Sequence, residues 1–383
     1  MKATSEAESP KSFIYWSALT AISAVVRKNV CLDKFYYKLY PNIYTMLRAD
    51  SGGRKGFPVW LAEELVRQVD CTRIISGRNS IQSIILALSK TQTKEGGVQN
   101  FTDARGFIVS GEFHELIIED DSALTILTSL YDTHSRKLWQ NTLKGSGTET
   151  LKDVCITLLG ASNDALLKKA IPEHAIEGGF IGRMLVIPDD GSGPINPLTR
   201  KPKNEFDVGK LVPYLKLISE LKGEFHYTEA SMALYEDWYD KHRKRKVKDR
   251  TGTYNRLHDQ ILKVSMLLSL ARGTDLMITE KDLDQAIDSC QSFTVNTKFM
   301  GEGQGKATLG PGIKTVFAEL LAAPENQIPR QQLLREHYGE FDHIDLSRIE
   351  EHMVESDWIV VDVINGRKVY RMKQWVVEHA KKL

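Results

Sequence analysis

Two rhythms of apolar positions alternate through the first half of the chain. Short apolar runs at residues 43–47, 72–76, 106–110, 154–160 and 184–188 predict buried strands. Between them, residues 12–27, 59–66, 80–90 and 122–133 carry apolar side chains at helical spacing. In the first of these, Ile14, Ala18, Ala21, Ile22 and Val25 share one face, which predicts a helix covering the sheet edge. Residues 30–40 hold Phe35, Tyr36, Tyr37 and Tyr40 and predict a hairpin. Residues 91–105 predict a polar loop, and residues 134–150 a projecting basic hairpin. Strand alternating with helix predicts an α/β domain.

The rhythm changes after residue 190. A Pro- and Gly-rich linker (190–209) leads into mostly helical sequence at 211–221, 228–248, 255–271 and 280–300, the last opened by the capping signal Thr279-Glu280-Lys281-Asp282. A second Gly-rich linker, 301–312, precedes helices at 313–322, 330–338 and 346–356. Strands at 358–363 and 368–372 then flank a turn at Asn365-Gly366. Three helices and a hairpin in this order predict a winged helix. The resulting organisation is a core with an N-terminal helix (1–195), a helical lid (196–305) and a winged-helix domain (306–383).

Composition narrows this picture in three ways. At 383 residues the chain has room for two or three domains with ample core. A net charge of +1 means that any nucleic-acid surface is a local patch. No apolar run is long enough to span a membrane, and residues 1–11 lack a signal-peptide core. Cys31, Cys71, Cys155 and Cys290 are far apart with no C-x-x-C pair, so the expectation is reduced core cysteines, no metal site and a cytoplasmic protein.

The candidate chemistry begins after the first core strand, at Arg48-Ala49-Asp50-Ser51-Gly52-Gly53-Arg54-Lys55-Gly56. Strand, Gly-rich turn with a lysine, then helix is the context of a phosphate-binding loop. Its N–H groups and the helix start converge on phosphate oxygens while the lysine adds a full charge. Ser51, Gly52, Gly53, Arg54, Lys55 and Gly56 are therefore the candidate nucleotide contacts. Against the pattern G-x-x-x-x-G-K-[ST], Ala49 and Arg54 replace glycines and Gly56 replaces the Mg²⁺-holding hydroxyl. The other reading is a plain turn with two exposed cations.

Further candidates stand at strand ends. Glu112, in Ser110-Gly111-Glu112, is placed to polarise a water attacking a γ-phosphate, with Gly111 where an aspartate would hold Mg²⁺. Ser162 and Asn163 end the fourth strand and serve either as phosphate contacts or as a helix N-cap. Arg183, after a glycine turn and before the fifth strand, either reaches a neighbour's phosphate or forms an ordinary ion pair. For DNA, the candidates are Arg136, Lys137 and Lys144 on the basic hairpin, and Arg348, Arg367 and Lys368 in the tail. Acids beside Arg348 (Glu350, Glu351, Glu355) argue equally for a protein-interaction tail, and the basic run 241–248 equally for a solvated helix face.

As an ordered set, Trp16-Ser17-Ala18-Leu19-Thr20, Ser51-Gly52-Gly53-Arg54-Lys55, Ser110-Gly111-Glu112, Leu159-Gly160-Ala161-Ser162 and Gly178-Gly179-Phe180-Ile181-Gly182-Arg183 resemble a family of helicase-like P-loop proteins of phages, plasmids and integrated elements. The resemblance covers roughly residues 12–300, and the glycine turn before Arg183 also resembles MCM-type AAA+ helicases. It implies a P-loop NTPase core (AAA+/RecA-like) using ATP and Mg²⁺, a homo-oligomeric ring such as a hexamer, and a DNA helicase or translocase for replicating a mobile element. It further implies Arg183 as a finger acting across subunits and Arg256, or alternatively Lys263, as a phosphate sensor. The alternative is a nucleotide-binding but weakly or non-hydrolysing DNA-binding protein or helicase loader, which Gly56 and Gly111 favour.

Overall fold

The computed structural model describes residues 4, 6–89, 92–94, 97–99, 103–117, 122–132, 138–143, 147–171, 175–176, 179–196, 208–247, 249–301, 310–339, 341–364 and 366–380. The chain divides into two compact units, Met1–Gly301 and Glu302–Leu383.

The larger unit is a mixed α/β structure around a five-stranded parallel sheet. Its strands are β1 (Tyr44–Arg48), β2 (Arg73–Ser76), β3 (Arg105–Ser110), β4 (Cys155–Ser162) and β5 (Met184–Pro188), in the order β5-β1-β4-β3-β2. A parallel sheet needs cover on both faces, so its strands are continuously apolar. In β4 every residue is buried. Alternate residues serve opposite faces. Leu159, Ala161, Leu185 and Ile187 join one core, while Ile156, Leu158, Met184 and Val186 join the other.

Helix α1 (Lys11–Val26) lies at the centre of the first face rather than at the sheet edge expected from sequence. Twelve of its 16 residues are buried, so it needs cover on nearly every side. It packs on β1, β4 and β5 and is covered by α2 (Gly56–Val69) and by helices from the second half of the unit. Two of its hydroxyls pair with the sheet: Thr20 with Thr45 of β1 at 2.8 Å, and Ser23 with Thr157 of β4 at 2.9 Å. On the other face, α3 (Ile81–Ser89) and α4 (Ala123–Tyr131) supply Ile81, Ile84, Leu124 and Leu127. Residues 91–105, expected as loop, include a short hairpin, Gln92–Lys94 with Gly97–Gln99. The expected hairpin at 134–150 pairs Leu138–Leu143 with Gly147–Lys152.

After α5 (Asp164–Ala170) and β5 come α6 (Val212–Glu220), α7 (Glu229–Lys244), α8 (Thr253–Arg272), α9 (Glu280–Gln291) and α10 (Phe293–Gly301). They belong to the same compact unit as the sheet, not to a separate lid. The expected helix over 280–300 is two helices, opened by a capping box in which Thr279 and Asp282 each bond the other's backbone. Leu257, Ile261, Val264 and Leu267 of α8 lie in the core of the α1 face.

Lys263 of α8 is an exception among these apolar residues. It is 4% exposed, donates from Nζ to the carbonyl and side-chain oxygens of Asn42 at 2.9 Å each, and lies 3.9 Å over the Tyr131 ring. Burial pushes its ammonium down to about 7 from 10.5. Between those two values the unfolded chain keeps a proton that the folded chain has released, so stability from this site rises with pH. Relative to Lys263→Met, the wild type should gain up to about 1.4 kcal/mol of unfolding free energy per pH unit between pH 8 and 10, and nothing below pH 6. Urea unfolding of both proteins across that range checks this; a constant difference would show that Lys263 keeps one protonation state.

The smaller unit comprises α11 (Gly310–Ala322), β6 (Gln327–Pro329), α12 (Arg330–Glu336), α13 (His343–Glu355), β7 (Ile359–Ile364) and β8 (Arg367–Met372), with sheet order β6-β8-β7. Strand β6 was not expected; it adds to β8 through Ile328 opposite Tyr370. Helix α13 starts three residues earlier than its apolar pattern because Asp342 caps it, accepting from the N–H groups of Ile344 and Asp345 at 2.8 and 2.9 Å. Val316, Leu320, Leu333, Leu346, Ile349 and Tyr370 form its core.

Candidate functional site

All five strands end at one edge of the sheet, and β1 continues there into the Gly-rich turn. Gly52 has φ +83° and Arg54 φ +52°. At Gly53 an added Cβ would stand 2.5 Å from the Ala49 Cβ, so only glycine fits there. Lys55 donates from Nζ to the carbonyl oxygens of Ala49 and Asp50, both at 2.8 Å, drawing its ammonium across the turn. The turn is pinned from outside: Arg54 pairs with Glu8 at 2.5 Å, and Ser9 donates to the Arg54 carbonyl at 2.8 Å. Helix α2 begins at Gly56 without a side-chain cap, leaving its first N–H groups for another acceptor. Residues 48–53 with Asp164 and Asp189 line a pocket of about 430 Å³.

Two more candidates stand at this edge. Ser162 ends β4 opposite Arg48 of β1 and is fully buried; its carbonyl accepts from the Ala49 N–H at 3.3 Å, and its hydroxyl has no hydrogen-bond partner among the described residues. Asn163 is occupied as the N-cap of α5, accepting from the Leu166 N–H at 2.9 Å. Glu112 follows β3 and is exposed, with one oxygen 3.5 Å from His114 Nδ1. β4 lies between β1 and β3, so two strand spacings separate the Gly-rich turn from the Glu112 turn, about 10 Å.

The two glycines at the expected Mg²⁺ positions are not packing requirements. An added Cβ at Gly56 or at Gly111 would meet nothing within 4 Å. Among the described residues, no trio of His, Cys, Asp or Glu at this edge brings its ligand atoms within 4.8 Å. The residues here therefore do not fit a protein-held Mg²⁺ of the expected kind.

Arg183 and Arg256 lie together, but at the opposite edge, before β5 and in the first turn of α8. Of the two readings of Arg183, an outward-reaching finger or an ordinary ion pair, the structure shows the ion pair. Arg183 is 9% exposed, donating to Asp132 at 2.6 Å and to the Gly179 carbonyl at 2.9 Å. Asp132, just past the C-terminal end of α4, holds it inward. The Arg256 guanidinium packs over the same glycine: a Cβ on Gly179 would stand 3.0 Å from Arg256 Nη2 and 3.1 Å from Arg183 Nη1. Burial, then the Arg183 charge, lowers the Arg256 pKa. Gly182 is equally constrained, because its Cβ would stand 2.7 Å from the Gly252 carbonyl. The glycines of this segment thus make room for arginine and backbone. Lys263, the alternative sensor, is committed to Asn42 inside the protein.

Of the DNA candidates, Arg136, Lys137 and Lys144 lie outside the described residues. Arg348 and Arg367 are exposed, whereas Lys368 is bound to Glu350 at 2.6 Å. Burial pushes the Glu350 carboxyl up, but hydrogen bonds from Lys368 and Tyr370 outweigh it and hold it below its usual range. Glu350 is therefore part of the unit's internal bonding, not a free surface acid. In the 241–248 run, Lys241 and Lys244 pair with Asp237 and Asp240 one turn back.

Sequence reasoning missed Asp132, Asp164, Asp189 and the Glu8–Ser9 brace, because each meets its partner across a separation that leaves no local pattern. No protein-family model and no curated protein matches this sequence.

The unpartnered Ser162 hydroxyl gives a direct test of this geometry. Ser162→Ala should leave unfolding free energy unchanged or raise it by up to about 1 kcal/mol, since it removes a buried hydroxyl that bonds to nothing. Chemical denaturation checks this; a loss beyond about 1 kcal/mol would reveal a partner.

Proposed function

We propose that this chain is an ATP-driven, ring-forming DNA helicase or translocase for the replication of a phage or other mobile element, with a P-loop core and a C-terminal winged helix. One observation carries this reading: the Gly-rich turn with Lys55, the unpartnered Ser162 and Glu112 stand at the ends of three adjacent parallel strands. The chain order reverses there, with β4 and β5 flanking β1, and such a switch point at carboxyl ends is where open α/β sheets take ligands.

In this reading the turn amides and the start of α2 receive the ATP phosphates, and Lys55 exchanges its two backbone acceptors for phosphate oxygens. Ser162 donates to the γ-phosphate. Glu112 accepts a proton from the water that attacks γ-phosphorus as the bond to the β–γ bridging oxygen breaks. Arg183 and Arg256 stand about 16 Å away, the length of a five-residue strand. These two guanidinium groups are then assigned to the phosphates of an adjacent subunit, Arg183 on release from Asp132. Arg348 and Arg367 are assigned to DNA phosphates. No step runs through Mg²⁺.

A second reading, a nucleotide-dependent DNA-binding protein or loader with little turnover, is favoured by Gly56 and Gly111. ATPase assays with and without single-stranded DNA separate the two. The helicase reading predicts hydrolysis stimulated by DNA; ATP binding without turnover supports the second. Under either, Lys55→Ala should weaken ATP binding by about 1–3 kcal/mol in calorimetry, and unchanged affinity would contradict both.

A further inference from the structure

The smaller unit carries a cluster that has no part in the proposed function. Glu319 of α11, Glu336 at the end of α12 and His337, which follows it, each turn a ligand atom toward the others, all within 4.8 Å. Two carboxylates held this close repel each other unless a cation lies between them.

The three groups are oriented by neighbours. The His337 ring is 15% exposed at its side chain and stacks on Phe341, centroids 5.8 Å apart, with Nε2 3.2 Å from Glu319 Oε1. Gln332 donates to Glu336 Oε1 at 3.0 Å. Outer partners of this kind fix the direction of metal ligands. The donor set is one imidazole nitrogen and two carboxylate oxygens. Imidazole selects zinc-class ions over Mg²⁺ and Ca²⁺, which take oxygen alone.

We propose that Glu319, Glu336 and His337 bind a divalent ion of the zinc class that links α11 to the end of α12. Zinc bonds of roughly 2.0–2.2 Å require the ligand atoms to close inward by side-chain rotation, with water completing the coordination. The ion offsets the carboxylate repulsion and cross-links a unit whose core is small. An adjacent Glu-His pair 17 residues beyond a lone Glu matches no ligand spacing, so the trio forms only in the fold.

The test uses the full chain, stripped with a chelator and titrated with ZnCl₂ by calorimetry and thermal unfolding. One saturable equivalent in the micromolar range, with a rise in unfolding temperature, is expected for the wild type. Glu319→Gln keeps the shape and a hydrogen-bond partner for His337, and should weaken zinc binding about tenfold or more while removing the thermal shift. His337→Ala should abolish binding; if it fails to fold, Glu319→Gln decides. Absence of saturable zinc binding, or equal binding by wild type and Glu319→Gln, overturns the proposal.

Discussion

Parallel pairing of five strands is the constraint from which the larger unit follows. It buries both faces, sends every strand end to one edge, and forces each connection across a face as a helix. The apolar helix α1 is usable only because the sheet and three helices enclose it. Its Thr20 and Ser23 hydroxyls pair with Thr45 and Thr157, and these two bonds fix its seat on β1 and β4. The turn that begins at Ala49 inherits its position from that seat, through β1.

The same constraint divides the chemistry. Groups at the carboxyl ends of β1, β3 and β4 gather at one edge, and the arginines that precede β5 and open α8 gather at the other. Charge is arranged differently at the two. At the first, Lys55 spans backbone carbonyls and the Ser162 hydroxyl has no partner among the described residues. At the second, Asp132 holds the Arg183 guanidinium, Arg256 packs beside it, and glycines give them room. In the ring reading, one subunit's first edge needs what its neighbour's second edge holds.

Much of this was legible in the sequence where the physics is local. The strand cores, the Gly-rich turn and the Thr279 capping box are written in contiguous residues, and each stands where its pattern placed it. Long-range pairing was not legible. Arg183 reads equally as a free finger and as an ion-paired residue until Asp132, 51 residues earlier, is brought beside it. Lys263 reads as a polar helix residue until Asn42 and Tyr131 enclose it. Asn163, weighed as a phosphate contact or a helix cap, is the cap, a bond only three residues long. Glu350 reads as a surface acid opposed to DNA until Lys368 and Tyr370 close on it.

The central claim is that the carboxyl edge of the sheet receives nucleotide phosphates. Hydrogen exchange of the full chain with and without ATP tests it most directly, because the groups assigned to phosphate are backbone amides. The account predicts slowed exchange at residues 50–57, with smaller protection at 110–113 and 161–164. Exchange unchanged at 50–57 under saturating ATP, or protection confined to other parts of the chain, would contradict it.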